Sequence, residues 1–331
     1  MTEAGSTIGA YERVGQWIGE ALSASVEILA LARIQALESR LVTRISAQVD
    51  GDDRSFVLCE DLAGQRAVPR LAVEEEFNLV CALHASGVEV PEPISSGPDP
   101  DRPETSLALY SAPEPATQVS SGIETVRAVG QALAYVHSIS PNRSHLSYLT
   151  KRDAQKTIDF LRDVIDRMGA HRPALEWGLR WALCNAPRQT GYAILHGACH
   201  AGHIAPSGQG RVQLVDWCDA GLGDPMADLG TFCAACWRQG RPDLEAGGLA
   251  SRQTLYDGYI AGGGKVDDAR VRYWEIVAHL KAAIAIFSEP ERPTLNGALA
   301  LQRLPELELA ILRATSPETW HVRDCEVQHV A

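Results

Sequence analysis

The chain has no run of eighteen or more apolar residues, so no membrane span is expected. It also has no excess of basic residues: Lys and Arg total 30 against 42 Asp and Glu, a formal charge of −12. A surface of that sign repels a phosphate backbone, which argues against nucleic acid as a partner. It could attract a cationic substrate, although many solvated surfaces carry such a charge. Met1-Thr-Glu-Ala-Gly-Ser6 has neither the basic nor the apolar region of a secretory signal, and a cytoplasmic location is the expectation. Internal repeats and low-complexity segments are absent from the sequence. What is there is ordinary for a globular protein: 331 residues, 45% hydrophobic and 22% charged, enough for one large core or two lobes. Its eight cysteines read first as buried thiols rather than as a disulfide framework.

Periodicity divides the chain in two. Val14, Trp17, Ile18 and Leu22 fall on one stripe, predicting an amphipathic helix over 11–24. Val26–Leu31, Leu41–Ala47 and Ser55–Cys59 read as strands, with the turn Asp50-Gly-Asp-Asp53 between the last two. Val73–Ala85 reads as a helix ending at Gly87, and Leu107–Tyr110 as one more strand. After Ser111-Ala-Pro-Glu-Pro115 the pattern turns helical, over about 122–139, over 154–185 with a break near Gly169 and Pro173, over Asp228–Trp237, over Val271–Phe287 and over about Ala298–Arg313. The residues after Thr315 are polar and irregular. The predicted class is α+β with two lobes: residues 1–112 a small β-rich N-lobe, 113–315 a large helical C-lobe, and 316–331 a flexible tail.

Two loops interrupt the helical half. Ile194-Leu-His-Gly-Ala-Cys-His-Ala-Gly-His-Ile204 and Val212-Gln-Leu-Val-Asp-Trp-Cys-Asp-Ala-Gly-Leu-Gly-Asp-Pro225 each follow a short apolar run, Tyr192–Leu195 and Val212–Val215. This pairing resembles the catalytic and metal loops of the aminoglycoside phosphotransferase/choline kinase-like family, His-Gly-Asp-x-x-x-x-Asn and Asp-Trp. The resemblance runs from about Ile28 to Arg313. It includes Glu76-Phe-Asn-Leu-Val-Cys-Ala-Leu with its exit to Pro91, and Gly223-Asp-Pro-x-x-Asp-Leu229. Arg272-Tyr-Trp-Glu-Ile-Val-Ala-His-Leu280 is similar to the bacterial branch related to acyl-CoA-dehydrogenase-associated kinases. The resemblance implies a protein-kinase-like fold with a cleft between lobes.

The positions that carry chemistry in that family differ here. A loop of the form Gly-Gly-x-Ser-Asn lets the backbone approach phosphates; the matching stretch is Ala36-Leu-Glu-Ser-Arg40, without glycine. Leu37 and Glu38 would crowd or repel a triphosphate, while Arg40 could supply positive charge. The next strand should present a cation to the helix glutamate, but Val57-Leu-Cys59 has none, so Glu76 is expected to lack its partner. Ala198 stands where the base aspartate belongs and can neither orient nor deprotonate a hydroxyl. His203 stands where an asparagine would offer oxygen to magnesium. Asp216 keeps its place as a metal ligand.

The candidate catalytic residues are therefore His200, His203, Cys199, Asp216 and Asp219, and the candidate nucleotide-side residues are Arg40, Ser39 and Glu76. These substitutions argue against ATP with magnesium. Asp216 and His203 are candidate ligands for a transition metal, although His-x3-His-x2-His on a loop is a weak signal. Cys199 or Cys218 beside an imidazole could act as a nucleophile, or both could be packing residues. His196 reads as a brace for its loop, Asp224 and Asp228 as loop and helix-cap residues, and Cys233-Ala-Ala-Cys236 as core. Trp177, Trp181, Trp237 and Trp274 read as packing. Three functions stay open: small-molecule chemistry other than ordinary ATP-dependent phosphoryl transfer, with a metabolite in the interlobe cleft; a non-catalytic pseudokinase that binds a ligand or partner protein; and an unconventional small-molecule O-kinase.

Overall fold

The computed structural model describes residues 3–37, 40–61, 70–99, 102–112, 121–141, 146–168, 172–189, 191–207, 210–288 and 295–316. It divides into two compact units, one of Met1–Val119 with Ala205–Asp219, the other of Ser120–Ile204 with Ala220–Ala331. Of the expected tail, residues 317–331 lie outside the described residues.

The first unit opens with α1 (Glu3–Leu22), followed by the long antiparallel strands β1 (Val26–Leu37), β2 (Arg40–Val49) and β3 (Asp52–Asp61). Then come α2 (Val73–Ala85), β4 (Pro93–Pro98) and β5 (Ser106–Ser111), completing a five-stranded sheet in the order β1-β2-β3-β5-β4. One face of the sheet buries Ile45, Ala47, Val49, Phe56, Leu58, Leu107 and Leu109 with Ile18 of α1. Each of the larger side chains among them contributes about 1.5–3 kcal/mol by leaving water. Helix α2 packs on β3, β4 and β5, burying Val73, Glu76, Leu79, Val80 and Leu83.

Two expectations change in this sheet. Strand β1 runs on to Leu37, past its expected end at Leu31, with Ala36 paired to Leu41 and Leu37 to Arg40; of the stretch matched to the phosphate loop, Glu38 and Ser39 lie outside the described residues. Strand β4, bounded by Pro93 and Pro98, was not expected. It lies at a sheet edge, where a residue lacking an N–H leaves no ladder bond unmade.

The second unit contains α3 (Gly122–Ser138), β6 (Lys151–Arg152), α4 (Ala154–Met168), α5 (Pro173–Cys184) and β7 (Ala193–Leu195). Strands β8 (Ile204–Ser207) and β9 (Arg211–Leu214) form a hairpin that leads back through the first unit. The chain then gives β10 (Gly221–Gly223), α6 (Met226–Cys233), α7 (Arg252–Ala261), α8 (Asp268–Ser288) and α9 (Leu295–Ala314). Strand β10 pairs antiparallel with β7 and parallel with β6. Helix α3 starts at a capping box: Glu124 N–H donates to Ser121 Oγ at 3.2 Å and Ser121 N–H to Glu124 Oε2 at 2.9 Å. The helix expected over Asp228–Trp237 is broken at Ala234, whose ψ is 135°, and resumes as a short 3-10 turn, Ala235–Trp237. Trp181 and Trp274 are buried as expected, whereas Trp177 is 40% exposed. The buried stripe of α8 includes Tyr273, Val277, Leu280 and Ile284; the side chain of Phe287 is outside the described set. Among the described residues no helix is long and apolar enough to cross a membrane.

Candidate functional site

In the first unit the site is built around Glu76, buried on α2. The Arg40 guanidinium, from β2, forms an ion pair with Glu76 through Nη1 and donates from Nη2 to the Leu71 carbonyl at 2.9 Å. Asp61 lies 3.5 Å from the same nitrogen and accepts the Val73 N–H at 2.8 Å, capping α2. Glu76 Oε1 accepts the Trp217 N–H at 2.8 Å. The expectation that Glu76 lacks a cation is thus corrected: β3 supplies none, but its neighbour β2 does. Arg40 precedes in sequence the strand where a cation was sought, and strand pairing brings it opposite Asp61.

The charges support one another against burial. Burial alone would lower the Arg40 pKa; Glu76, with Cys218, Cys59 and Asp61, outweighs it, and the guanidinium stays charged. Burial, aided by Asp216, lifts the Glu76 carboxyl above the usual range, while Arg40 and the Trp217 N–H act against that rise. Asp216 has φ 63°, a left-handed conformation that aspartate tolerates better than most side chains. Asp219 is held 3.5 Å from Arg70 Nε.

In the second unit the strand β7 is buried throughout and delivers His196, itself fully buried. The His196 N–H donates to Asp228 Oδ2 at 2.8 Å and the Gly197 N–H to Asp228 Oδ1 at 2.9 Å, with Gly197 at φ 83°. His137 of α3 bridges Asp228 at 3.1 Å and the Tyr259 hydroxyl at 2.9 Å. Burial works to raise the Asp228 pKa, but His137, His196 and the Gly197 N–H prevail and hold it below the usual carboxylate range. Asp224 is anchored likewise by the Met226 N–H, Arg270 and the Trp274 indole, at 2.7–3.0 Å.

Beyond His196 the loop presents a run of rings. The His203 ring lies tilted at 33° against His200 with centroids 3.9 Å apart, and His200 stacks on Trp237 at 4.1 Å. His203 Nδ1 lies 2.9 Å from the Ala198 carbonyl, which can only accept, so this nitrogen carries hydrogen. In the neutral ring the lone pair then sits on Nε2. His200 shows the opposite tautomer, since its Nδ1 accepts the Gly202 N–H at 3.1 Å.

The sequence candidates therefore fall into distinct groups. Arg40, Glu76, Asp216 and Asp219 belong to the first unit, and Cys199, His200 and His203 to the second; Ser39 lies outside the described residues. Cys199 is corrected as a candidate actor: it is fully buried, and burial pushes its thiol well above the usual range. The Cys218 thiol is displaced the same way by burial and nearby carboxylates. Neither is an exposed thiolate. Among the described residues no group of three or more His, Cys, Asp or Glu side chains is arranged to hold a metal ion. Two contributors were missed. Trp237 was read as packing yet stacks on His200, and His137 gave no signal beyond its place near the end of an amphipathic helix.

A β-sheet unit carrying a buried helix glutamate, and a helical unit carrying a braced histidine loop, define a two-lobed kinase-like α+β fold. The profile of the phosphotransferase enzyme family matches residues 34–274, and the chain belongs to that family. It is similar to acyl-CoA dehydrogenase family member 10 of Mus musculus, 25% identical over 197 residues, which is 55% of this chain and 18% of that protein. It is also similar to the uncharacterized protein YcbJ of Bacillus subtilis strain 168, 31% identical over 109 residues, or 31% of this chain and 36% of the relative. The chain thus covers well under two thirds of either relative. Among solved structures, a Ralstonia eutropha JMP134 protein provisionally assigned as an aminoglycoside phosphotransferase superposes with a TM-score of 0.66 at 14% identity, covering 92% of this chain and 97% of that one. A spectinomycin phosphotransferase in complex with ADP and spectinomycin gives 0.58 at 14% identity, with 92% and 98% covered. An aspartate-to-alanine variant of the aminoglycoside phosphotransferase APH(4)-Ia, in a ternary complex with ADP and hygromycin B, gives 0.60 at 13% identity, with 90% and 98% covered.

Proposed function

We propose that this protein binds a small molecule and has lost ordinary ATP-dependent phosphoryl transfer, its loop chemistry having passed from carboxylate to imidazole. The observation that carries this reading is the fixed His203 ring, held by the Ala198 carbonyl and packed against the His200 ring. A methyl group occupies the position of the expected base, while the neighbouring ring is oriented with Nε2 as its basic atom. Small-molecule binding is supported by the ADP and antibiotic complexes of the structural neighbours; in one of them an aspartate has been replaced by alanine. His203, His200, Asp216 and Asp219 remain the proposed actors, and the cytoplasm the proposed location.

A second reading, a non-catalytic binder of a ligand or partner protein, is favoured by the burial of Cys199, which leaves the loop without an accessible thiol nucleophile. Both readings rest on one measurable premise. ADP release from ATP with magnesium and a panel of hydroxylated metabolites should stay at background, against roughly 1–100 per second for ordinary kinases. Magnesium-dependent turnover in that range by the wild-type chain would refute both. Turnover of any metabolite that vanishes in His203→Ala would favour imidazole chemistry over silent binding.

A further inference from the structure

The ion pair of Arg40 and Glu76 ties a strand to a helix, but its bonds extend further. Glu76 Oε1 accepts the Trp217 N–H at 2.8 Å. Arg40 also holds the Leu71 carbonyl at 2.9 Å, and the Leu71 N–H donates to the Cys218 carbonyl at 2.8 Å. Two routes therefore run from one guanidinium to two consecutive residues, one ending on an amide hydrogen and the other on a carbonyl oxygen. The residue just before them, Asp216, has φ 63°. A non-glycine residue in that region costs free energy and persists where its surroundings determine it.

A buried ion pair by itself is a poor source of stability, since desolvation offsets much of the attraction. Its value here is geometric. Arginine has a planar fork that can hold a carboxylate and a carbonyl together, which a lysine ammonium does with less direction. Asp61 steadies the fork and caps α2, fixing Glu76 relative to β2. Leu214 N–H donates to the Glu89 carbonyl at 3.1 Å and accepts the Trp217 indole N–H on its own carbonyl at 3.0 Å, so the entry to the segment is held independently.

We infer that Arg40 is a positioning residue that sets the backbone of Asp216-Trp217-Cys218, acting through Glu76 and Leu71. Arg40, with 5% of its side chain exposed, is directed inward at these partners. Cys59 of β3 provides a way to move the charge. It lies two residues before Asp61 and so on the same sheet face, is buried, and is coupled electrostatically to both Glu76 and Arg40.

Amide hydrogen exchange at Trp217 tests the inference on the full chain without nucleotide, so its outcome is separate from that of the proposed function. Arg40→Leu should speed exchange at Trp217 by roughly tenfold or more while leaving the amides of α8 unchanged. Adding Cys59→Lys to Arg40→Leu should return much of the protection by offering Glu76 a cation from β3. Unchanged exchange at Trp217 in Arg40→Leu, an equal rise across α8, or no recovery in the double variant would each overturn it. Should Arg40→Leu fail to fold, Arg40→Lys reads the same amide: it keeps a charge for Glu76 but loses the fork to Leu71. Exchange faster than wild type is then expected, and wild-type exchange would contradict the inference.

Discussion

Asp228 shows how one side chain can hold a loop in place. It accepts two consecutive backbone N–H groups and a histidine, all inside the protein. Asp228→Asn should cost about 3 kcal/mol or more in chemical denaturation, because a buried acceptor for several donors is lost. Its pKa is lowered from 3.8 on folding, so it stabilises the fold above that value, and this contribution fades as pH falls through the folded pKa. Melting temperature should therefore drop along an acid limb below about pH 4, and the limb should be shallower in Asp228→Asn. His203 makes a different prediction: nitrogen-resolved NMR should find hydrogen on Nδ1, and a neutral ring protonated only on Nε2 would contradict the contact with Ala198. The roles of Asp224 and Asp228 were legible in the sequence because a Gly-Asp-Pro block before a helix has a mechanical meaning. The partner of Glu76 was not. No lysine precedes Lys151, and the substitute cation sits in the adjacent strand, where only pairing register reveals it.

At the scale of elements, the long amphipathic segments were readable and the atypical ones were not. Val73–Ala85 is α2 to the residue, and the break between α4 and α5 falls where Gly169 and Pro173 placed it. Helix α7 was missed: its closest approach to α3 is at Gly258, and glycine is usually read as a breaker. A Cβ on Gly130 would come within 2.4 Å of the Leu255 carbonyl, and one on Gly258 within 2.2 Å of the Arg127 carbonyl. These two positions let α3 and α7 approach backbone to backbone. Gly258→Ala should accordingly destabilise the protein by about 1–3 kcal/mol in denaturant titration despite the higher helix propensity of alanine. A neutral or stabilising result would show that the seam can open at little cost.

For the whole molecule, family membership and the order of elements were legible because they rest on patterns spread along the chain, whereas the site depends on a few side chains whose partners are far apart in sequence. The frame around the loops is retained: Glu76 is paired, His196 and Gly197 are braced, and Asp224 is anchored. The proposed difference is in the set of groups that would meet nucleotide and metal, Ala198 and His203 among them, where the resemblance places an aspartate and an asparagine. The central claim is that this set does not assemble an ordinary site for ATP and magnesium. Thermal-shift titration of the wild-type chain with ATP, with and without magnesium, tests it most directly, because a ligand that binds the folded state raises the melting temperature. The account predicts no increment specific to magnesium. A saturable rise that appears only when ATP and magnesium are present together would contradict it.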